Sequence, residues 1–129
     1  MIYVDTSVVL AWILAEDRRP PASLWRDLVV SSRLLVYETW TRLHAYGMTP
    51  EREEAAREVV SFLALVELAP PVLGRALEPF PGSVRTLDAL HLATLDHLAG
   101  RGASIALASY DERLAAAARA LGHRLHPLP

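Results

Sequence analysis

The sequence predicts an α/β fold, a short parallel sheet with helices on both faces. Two observations carry this. Brief β-branched or aromatic runs alternate with longer helical segments along the whole chain. Caps, prolines and glycines also punctuate the helical segments where helices start and stop. Strands separated in this way by helices pair in parallel, and the helices cover both sides of the sheet.

The elements follow in order. Met1–Val4 is strand-like and ends at Asp5, and Ser7 is expected to cap a helix over Val8–Ala15. Pro20 and Pro21 precede a second helix, predicted over Ala22–Val30, since proline suits the first helical turn. Arg33–Val36 is predicted as the second strand, leading into an amphipathic helix over Tyr37–Tyr46 that stops at Gly47. Thr49-Pro50-Glu51 combines a cap, a first-turn proline and an acid at the positive end of the dipole, which predicts a helix running to Ala64. Val66–Ala69 is the third predicted strand, and Pro70–Pro71 opens a short helix ending near Phe80. After the loop Pro81–Arg85, Thr86 is expected to cap a helix over Leu87–Ala99. Ile105–Ala108 is a fourth strand, Asp111–Leu121 a last helix closed by Gly122, and Arg124–His126 an edge strand.

With 129 residues the chain is expected to form a single domain over residues 1–129. Its 52% apolar and 22% charged residues describe a globular protein rather than a disordered one. No apolar run approaches the roughly 20 residues of a membrane span, and no basic segment precedes an apolar core. The expectation is a cytoplasmic protein with no membrane partner. The absence of cysteine removes disulfides and thiolate metal sites. All 13 basic residues are arginine, and the net charge is −2. Nucleic-acid binders that work by bulk charge are usually basic, so any nucleic acid here must be held locally, through bound metal and a few arginines.

Ligands of open α/β sheets bind beyond the carboxyl ends of the strands. Asp5 follows the first strand, Glu38 the second and Asp111 the fourth, while Asp88 lies in the first turn of its helix. An acid in a first helical turn complements the macrodipole and needs no other reason. Asp5 is different. It interrupts the apolar runs Ile2-Tyr3-Val4 and Val8-Val9-Leu10, where a carboxylate is costly unless paired, capped or bound to metal. Converging carboxylates repel, and a hard divalent cation removes that conflict. The chemistry such a cluster suits is metal-assisted hydrolysis of a phosphate ester.

At this point the residues resemble a known family. Ile2-Tyr3-Val4-Asp5-Thr6-Ser7 is similar to the first motif of PIN domains, and Leu87-Asp88-Ala89-Leu90-His91-Leu92-Ala93-Thr94 to the third-acid motif of the VapC toxins within that family. Ser109-Tyr110-Asp111-Glu112-Arg113-Leu114 resembles the segment carrying the fourth acid, and Tyr37-Glu38-Thr39 sits where the family has its second. The resemblance implies a three-layer α/β/α sandwich and a Mg²⁺- or Mn²⁺-dependent endoribonuclease. It also implies an RNA substrate, a toxin neutralised by a cognate antitoxin, and a homodimer. It assigns Asp5 and Asp88 as direct or water-mediated metal ligands, with Glu38 completing the site and Asp111 as ligand or nearby anion. Ser7 and Ser109 would hydrogen-bond the acids or the metal's waters. Glu112 beside Asp111 leaves two candidates for the acid that faces the metal.

Several other residues bear on function. Arg42 lies four residues after Glu38, placed either for an intrahelical ion pair or for a phosphate, and Arg85 is the other candidate for RNA contact. His91, three residues after Asp88, could ligate metal or act as an acid, and is read first as a packed histidine anchoring its helix. His123 and His126 are read as exposed, and Trp12, Trp25 and Trp40 as packing or dimer surface. A phosphoacceptor fold would need a basic phosphate binder, usually the lysine this chain lacks, and no Gly-x-Ser-x-Gly elbow is present. The remaining alternative is an inactive PIN-like module that serves as a protein-interaction scaffold.

Overall fold

Five short strands alternate with six α-helices in the computed structural model, which describes residues 1–129. In chain order they are β1 (Ile2–Val4), α1 (Thr6–Ile13), β2 (Val29–Ser32), α2 (Leu34–Ala45), α3 (Thr49–Ser61), β3 (Ala64–Val66), α4 (Pro70–Ala76), α5 (Thr86–Gly100), β4 (Ala106–Ala108), α6 (Glu112–Ala120) and β5 (Arg124–Leu125). Every pairing is parallel, and the sheet order is β3-β2-β1-β4-β5. The chain winds outward from β1 to β3, then returns to the other side of β1 for β4 and β5. The reversal falls between β1 and β4. The crevice beyond the strand ends at such a switch point is where α/β sheets bind ligands.

The strands alternate their side chains across the sheet, and this makes the layers. Ile2 and Val4 of β1, with Val29 and Ala108, face a core shared with α1, α2 and α3. Tyr3, with Val30 and Leu107, faces the other way onto α5 and α6. Each fully buried valine or leucine contributes roughly 1.5–3 kcal/mol relative to exposure. The result is a three-layer α/β/α sandwich, as expected. Trp12 and Trp25 meet edge to face at 5.8 Å and, with Trp40, pack against the first core. No helix is long and apolar enough to cross a membrane.

The structure corrects several boundaries. The helix predicted over Ala22–Val30 is only a 3-10 turn at Ala22–Arg26, and the second strand is Val29–Ser32 rather than Arg33–Val36. Val29 and Val30 belong in the sheet because their β-branched side chains are buried on its two opposite faces. Ser31 and Ser32 can follow them inside because each finds a partner: Ser31 Oγ donates to the Val4 carbonyl (2.6 Å), and Ser32 Oγ accepts the Leu34 amide (3.1 Å). Arg33–Val36 then turns into α2, so Glu38 lies in the second turn of its helix, not the first. The third strand is Ala64–Val66, two or three residues earlier than Val66–Ala69, and α3 ends at Ser61.

The expected caps also differ. Neither Ser7 nor Thr86 caps a helix with its side chain; both lie inside helices that begin at Thr6 and Thr86. Thr49 is likewise inside α3, where its hydroxyl bonds His44 Nδ1 (2.7 Å). Asp111 caps α6 instead of lying in its first turn. His123, expected on an exposed edge, is largely covered. It pairs with Asp96 of α5, whose other oxygen accepts Arg75 Nε–H (2.9 Å), so α4, α5 and the entry to β5 are tied together.

Candidate active site

An open cleft of about 350 Å³ lies beyond the carboxyl ends of β1 and β4. Asp5, Glu38, Asp88 and Asp111 all line it, and so do Arg42 and Arg85. Four acids spread over more than a hundred residues of sequence are thereby brought to one place.

Asp5 follows β1 directly and is only 5% exposed. Its extended backbone (φ −96°, ψ 179°) turns the chain into α1, but its carboxylate makes no capping bond. Instead Oδ1 accepts the Ser7 hydroxyl at 2.6 Å. Ser7 Oγ in turn accepts the Tyr110 amide (2.9 Å) and lies 3.5 Å from Ser109 Oγ. The two serines therefore bridge β1 and β4 across the switch point. Ser109 Oγ accepts the Asp111 amide (2.9 Å), and Asp111 Oδ1 accepts the amides of Arg113 (2.9 Å) and Leu114 (3.2 Å). Glu112 is exposed and does not line the cleft, which leaves Asp111 as the acid on this segment that faces it.

Glu38 enters from the opposite helical layer. Its Oε1 accepts the Thr6 hydroxyl (2.8 Å) and stands 2.6 Å from His91 Nε2. Arg42, one turn further along α2, is exposed and makes no ion pair with Glu38; it stands free at the cleft. Asp88 is partly buried in the first turn of α5.

The electrostatics are those of crowded carboxylates short of positive charge. Burial pushes the Asp5 carboxyl up to about 6, with the charge of Asp111 adding to the rise and His91, Ser7 and Ser109 opposing it. Asp88 is likewise raised, first by burial and then by Asp111, with His91 and Arg85 pulling it back. No arginine forms an ion pair with Asp5, Asp88 or Asp111. No three histidine, aspartate or glutamate side chains stand close enough to enclose an ion by themselves. A magnesium ion that keeps several waters needs only one or two carboxylates, so this open, oxygen-only arrangement suits it.

A family model described as PIN domain matches residues 2–120. The chain belongs to the PIN domain family. Its curated relatives include ribonuclease VapC47 of Mycobacterium tuberculosis, 30% identical over 95% of this chain and 93% of the relative. Ribonuclease VapC46 of the same organism is 32% identical over 94% of this chain and 92% of the relative. Two solved structures share the fold. VapC20 of Mycobacterium tuberculosis, described as a sarcin–ricin loop cleaving toxin, has a TM-score of 0.63 at 22% identity, over 91% of this chain and 95% of that one. PAE2754 of Pyrobaculum aerophilum has a TM-score of 0.60 at 19% identity, over 89% and 77%.

Asp5, Glu38, Asp88, Asp111, Arg42 and Arg85, singled out in the sequence, line this PIN domain's cleft, whereas Glu112 does not, and Ser7 and Ser109 bond within its wall. Three participants are not legible in the sequence in their actual roles. His91 reads there as packing, or else as a ligand or acid, yet its contact is with Glu38. Tyr3 and Thr6 pass for strand and helix residues, yet both reach into this network. The one signal in the sequence is the spacing of His91, three after Asp88 on a helix, which places it beside the acid's face.

Proposed function

We propose that this PIN domain, spanning residues 1–129, is a Mg²⁺- or Mn²⁺-dependent endoribonuclease of the VapC toxin type. The observation that carries this is Asp5. A carboxylate 5% exposed, with no cationic side chain paired to it, is held at the sheet's switch point in a cleft lined by four further acids, Glu16, Glu38, Asp88 and Asp111. A buried charge of this kind is costly unless a cation compensates it.

Asp5 and Asp88 would hold the ion directly or through its waters, with Glu38 completing the set and Asp111 close by. When bound, the ion supplies Lewis-acid chemistry, lowering the pKa of a water and neutralising charge on the phosphodiester. The chain's own residues do the rest. Ser7 fixes the rotation of the Asp5 carboxylate through its 2.6 Å bond. The amides of Arg113 and Leu114 occupy one oxygen of Asp111 and leave the other free. Arg42 and Arg85, exposed at the cleft, would hold phosphates of the RNA. Water adds to phosphorus, and the ester oxygen opposite it leaves. Local binding by two arginines is consistent with a net charge of −2.

Membership of this family supports the remaining assignments: action in the cytoplasm, assembly as a homodimer, and neutralisation by a cognate antitoxin. A small neighbouring reading frame with a DNA-binding start and a flexible tail is the expected antitoxin.

The decisive experiment is cleavage of a structured RNA by purified protein, with Mg²⁺, with Mn²⁺ and with chelator, beside an Asp5→Asn variant. The expected result is cleavage that needs metal and is lost in the variant. Equal cleavage by both proteins, or none by either, sinks the enzyme assignment.

A further inference from the structure

The Glu38 carboxylate is tethered from the far side of the sheet. His91 belongs to α5, in the layer opposite α2, and is 2% exposed. Its Nε2 lies 2.6 Å from Glu38 Oε1, and its Nδ1 lies 2.7 Å from the hydroxyl of Tyr3, which is completely buried in β1. The Tyr3 and His91 rings meet edge to face, 5.9 Å apart at 83°. Thr6 donates to the same Glu38 oxygen at 2.8 Å. Each hydrogen bond that Glu38 receives from side chains of this chain thus falls on Oε1, and Oε2 is left over.

The direction of these bonds follows from the groups. A carboxylate only accepts, so Nε2 carries a hydrogen. In the neutral ring Nδ1 is then an acceptor and the Tyr3 hydroxyl its donor; in the charged ring Nδ1–H donates to the Tyr3 oxygen, so the two side chains are joined in either state. Burial pushes the Tyr3 phenol above its ordinary value, which keeps that donor in place. Neither Tyr3 nor His91 has freedom to turn, because Tyr3 is packed in the closed core beneath α5 and α6 and His91 is buried on α5 itself.

We infer that Tyr3 and His91 form a buried strut that positions Glu38, locking Oε1 and presenting Oε2 to the cleft as the atom available to a divalent ion. His91 is a positioning residue here and touches no substrate. The inference rests on the proposed role of Glu38 at the metal, and its test separates the two.

Mn²⁺ affinity is measured without RNA, by calorimetry, for wild type, Glu38→Gln, His91→Leu, His91→Gln, Tyr3→Phe and the double variant Glu38→Gln/His91→Leu. Thermal unfolding and near-ultraviolet dichroism confirm the fold of each. Tyr3→Phe keeps the ring and loses only the hydroxyl, so it tests the strut even if His91→Leu folds poorly. The expected loss for His91→Leu is about 10- to 100-fold, the usual effect of removing a ligand's supporting partner. Tyr3→Phe loses less, and His91→Gln recovers part of the loss because its amide N–H reaches towards Oε1. In the Glu38→Gln background, His91→Leu brings no further loss. Wild-type affinity in both His91→Leu and Tyr3→Phe overturns the strut. So does an equal loss from His91→Leu in the presence and absence of the Glu38 carboxylate. Unchanged affinity in Glu38→Gln alone removes Glu38 from the metal site, and the strut's purpose with it; that result is read in a variant that leaves His91 intact.

Discussion

Ser7 and Tyr110 are joined across 103 residues of sequence by a 2.9 Å hydrogen bond from the Tyr110 amide to the Ser7 hydroxyl oxygen, while that hydroxyl donates to Asp5. One side chain therefore sets the rotation of the buried acid and closes the switch point between β1 and β4. Ser7→Ala leaves the Tyr110 amide without this partner, at a cost of about 1–3 kcal/mol. The expected outcome is a lower unfolding temperature together with weaker Mn²⁺ binding, though less weakened than in Asp5→Asn. Denaturant unfolding and calorimetry on the two variants check this.

Asp5 makes the metal-free protein sensitive to pH in a defined direction. Its carboxyl is raised from the ordinary 3.8 to about 6, so the folded state holds the proton more tightly than the unfolded state does. The stability this contributes is fully present below the unfolded value and is lost as pH rises through the folded one, about 3 kcal/mol in all. Asp88 is raised as well, so the measurement is the difference between wild type and Asp5→Asn. Without metal, wild type should lose ground to the variant between about pH 4 and pH 6.5. Saturating Mg²⁺ at neutral pH should restore wild type and leave Asp5→Asn unmoved. A flat difference across this range argues against a buried, unpaired Asp5.

Asp111 has two separable roles. Its Oδ1 caps α6 through the amides of Arg113 and Leu114, and its charge raises both Asp5 and Asp88. Asp111→Asn keeps an oxygen for the cap and removes the charge, whereas Asp111→Ala removes both. Asp111→Ala should cost about 1 kcal/mol of stability, and Asp111→Asn much less. RNA cleavage should fall in both. If Asp111→Asn cleaves as wild type does, Asp111 is only a cap.

Arg42 and Arg85 are exposed at the cleft, and neither is paired with an acid in an ion pair. Replacing either by alanine should leave thermal stability and Mn²⁺ affinity near wild type. RNA binding should weaken, and the slope of log affinity against log salt should shrink by about 0.7 for each phosphate that is no longer neutralised. Fluorescence anisotropy of a labelled RNA over a salt series measures both quantities. An unchanged slope in both variants would place the RNA elsewhere.

Much of the site is readable in the sequence because it violates local rules. Asp5 stands out as a charge inside an apolar run, where no helix or strand has use for one. Asp88 and Asp111 lie beside strong helix starts, so their places at the ends of elements survive small boundary errors. Glu38 is legible through its motif position but gets the wrong local setting, because the strand before it is misplaced. Val29–Ser32 mixes two valines with two serines, and Leu34–Val36 is short and apolar. Neither pattern separates a buried strand from a helix start.

The sequence by itself determined the alternation of strands and helices, the parallel sheet that follows from it, and the acids that end up beyond the strands. Those depend on periodicity and on single residues out of place, which are local properties. Only the tertiary structure decided that Ser31 and Ser32 could be buried, that Arg42 stays clear of Glu38, and that His91 reaches Glu38 from the opposite layer. Each depends on a partner supplied by another element or on the competition for one, and spacing along the chain carries no record of which groups will meet once two faces of a sheet are covered.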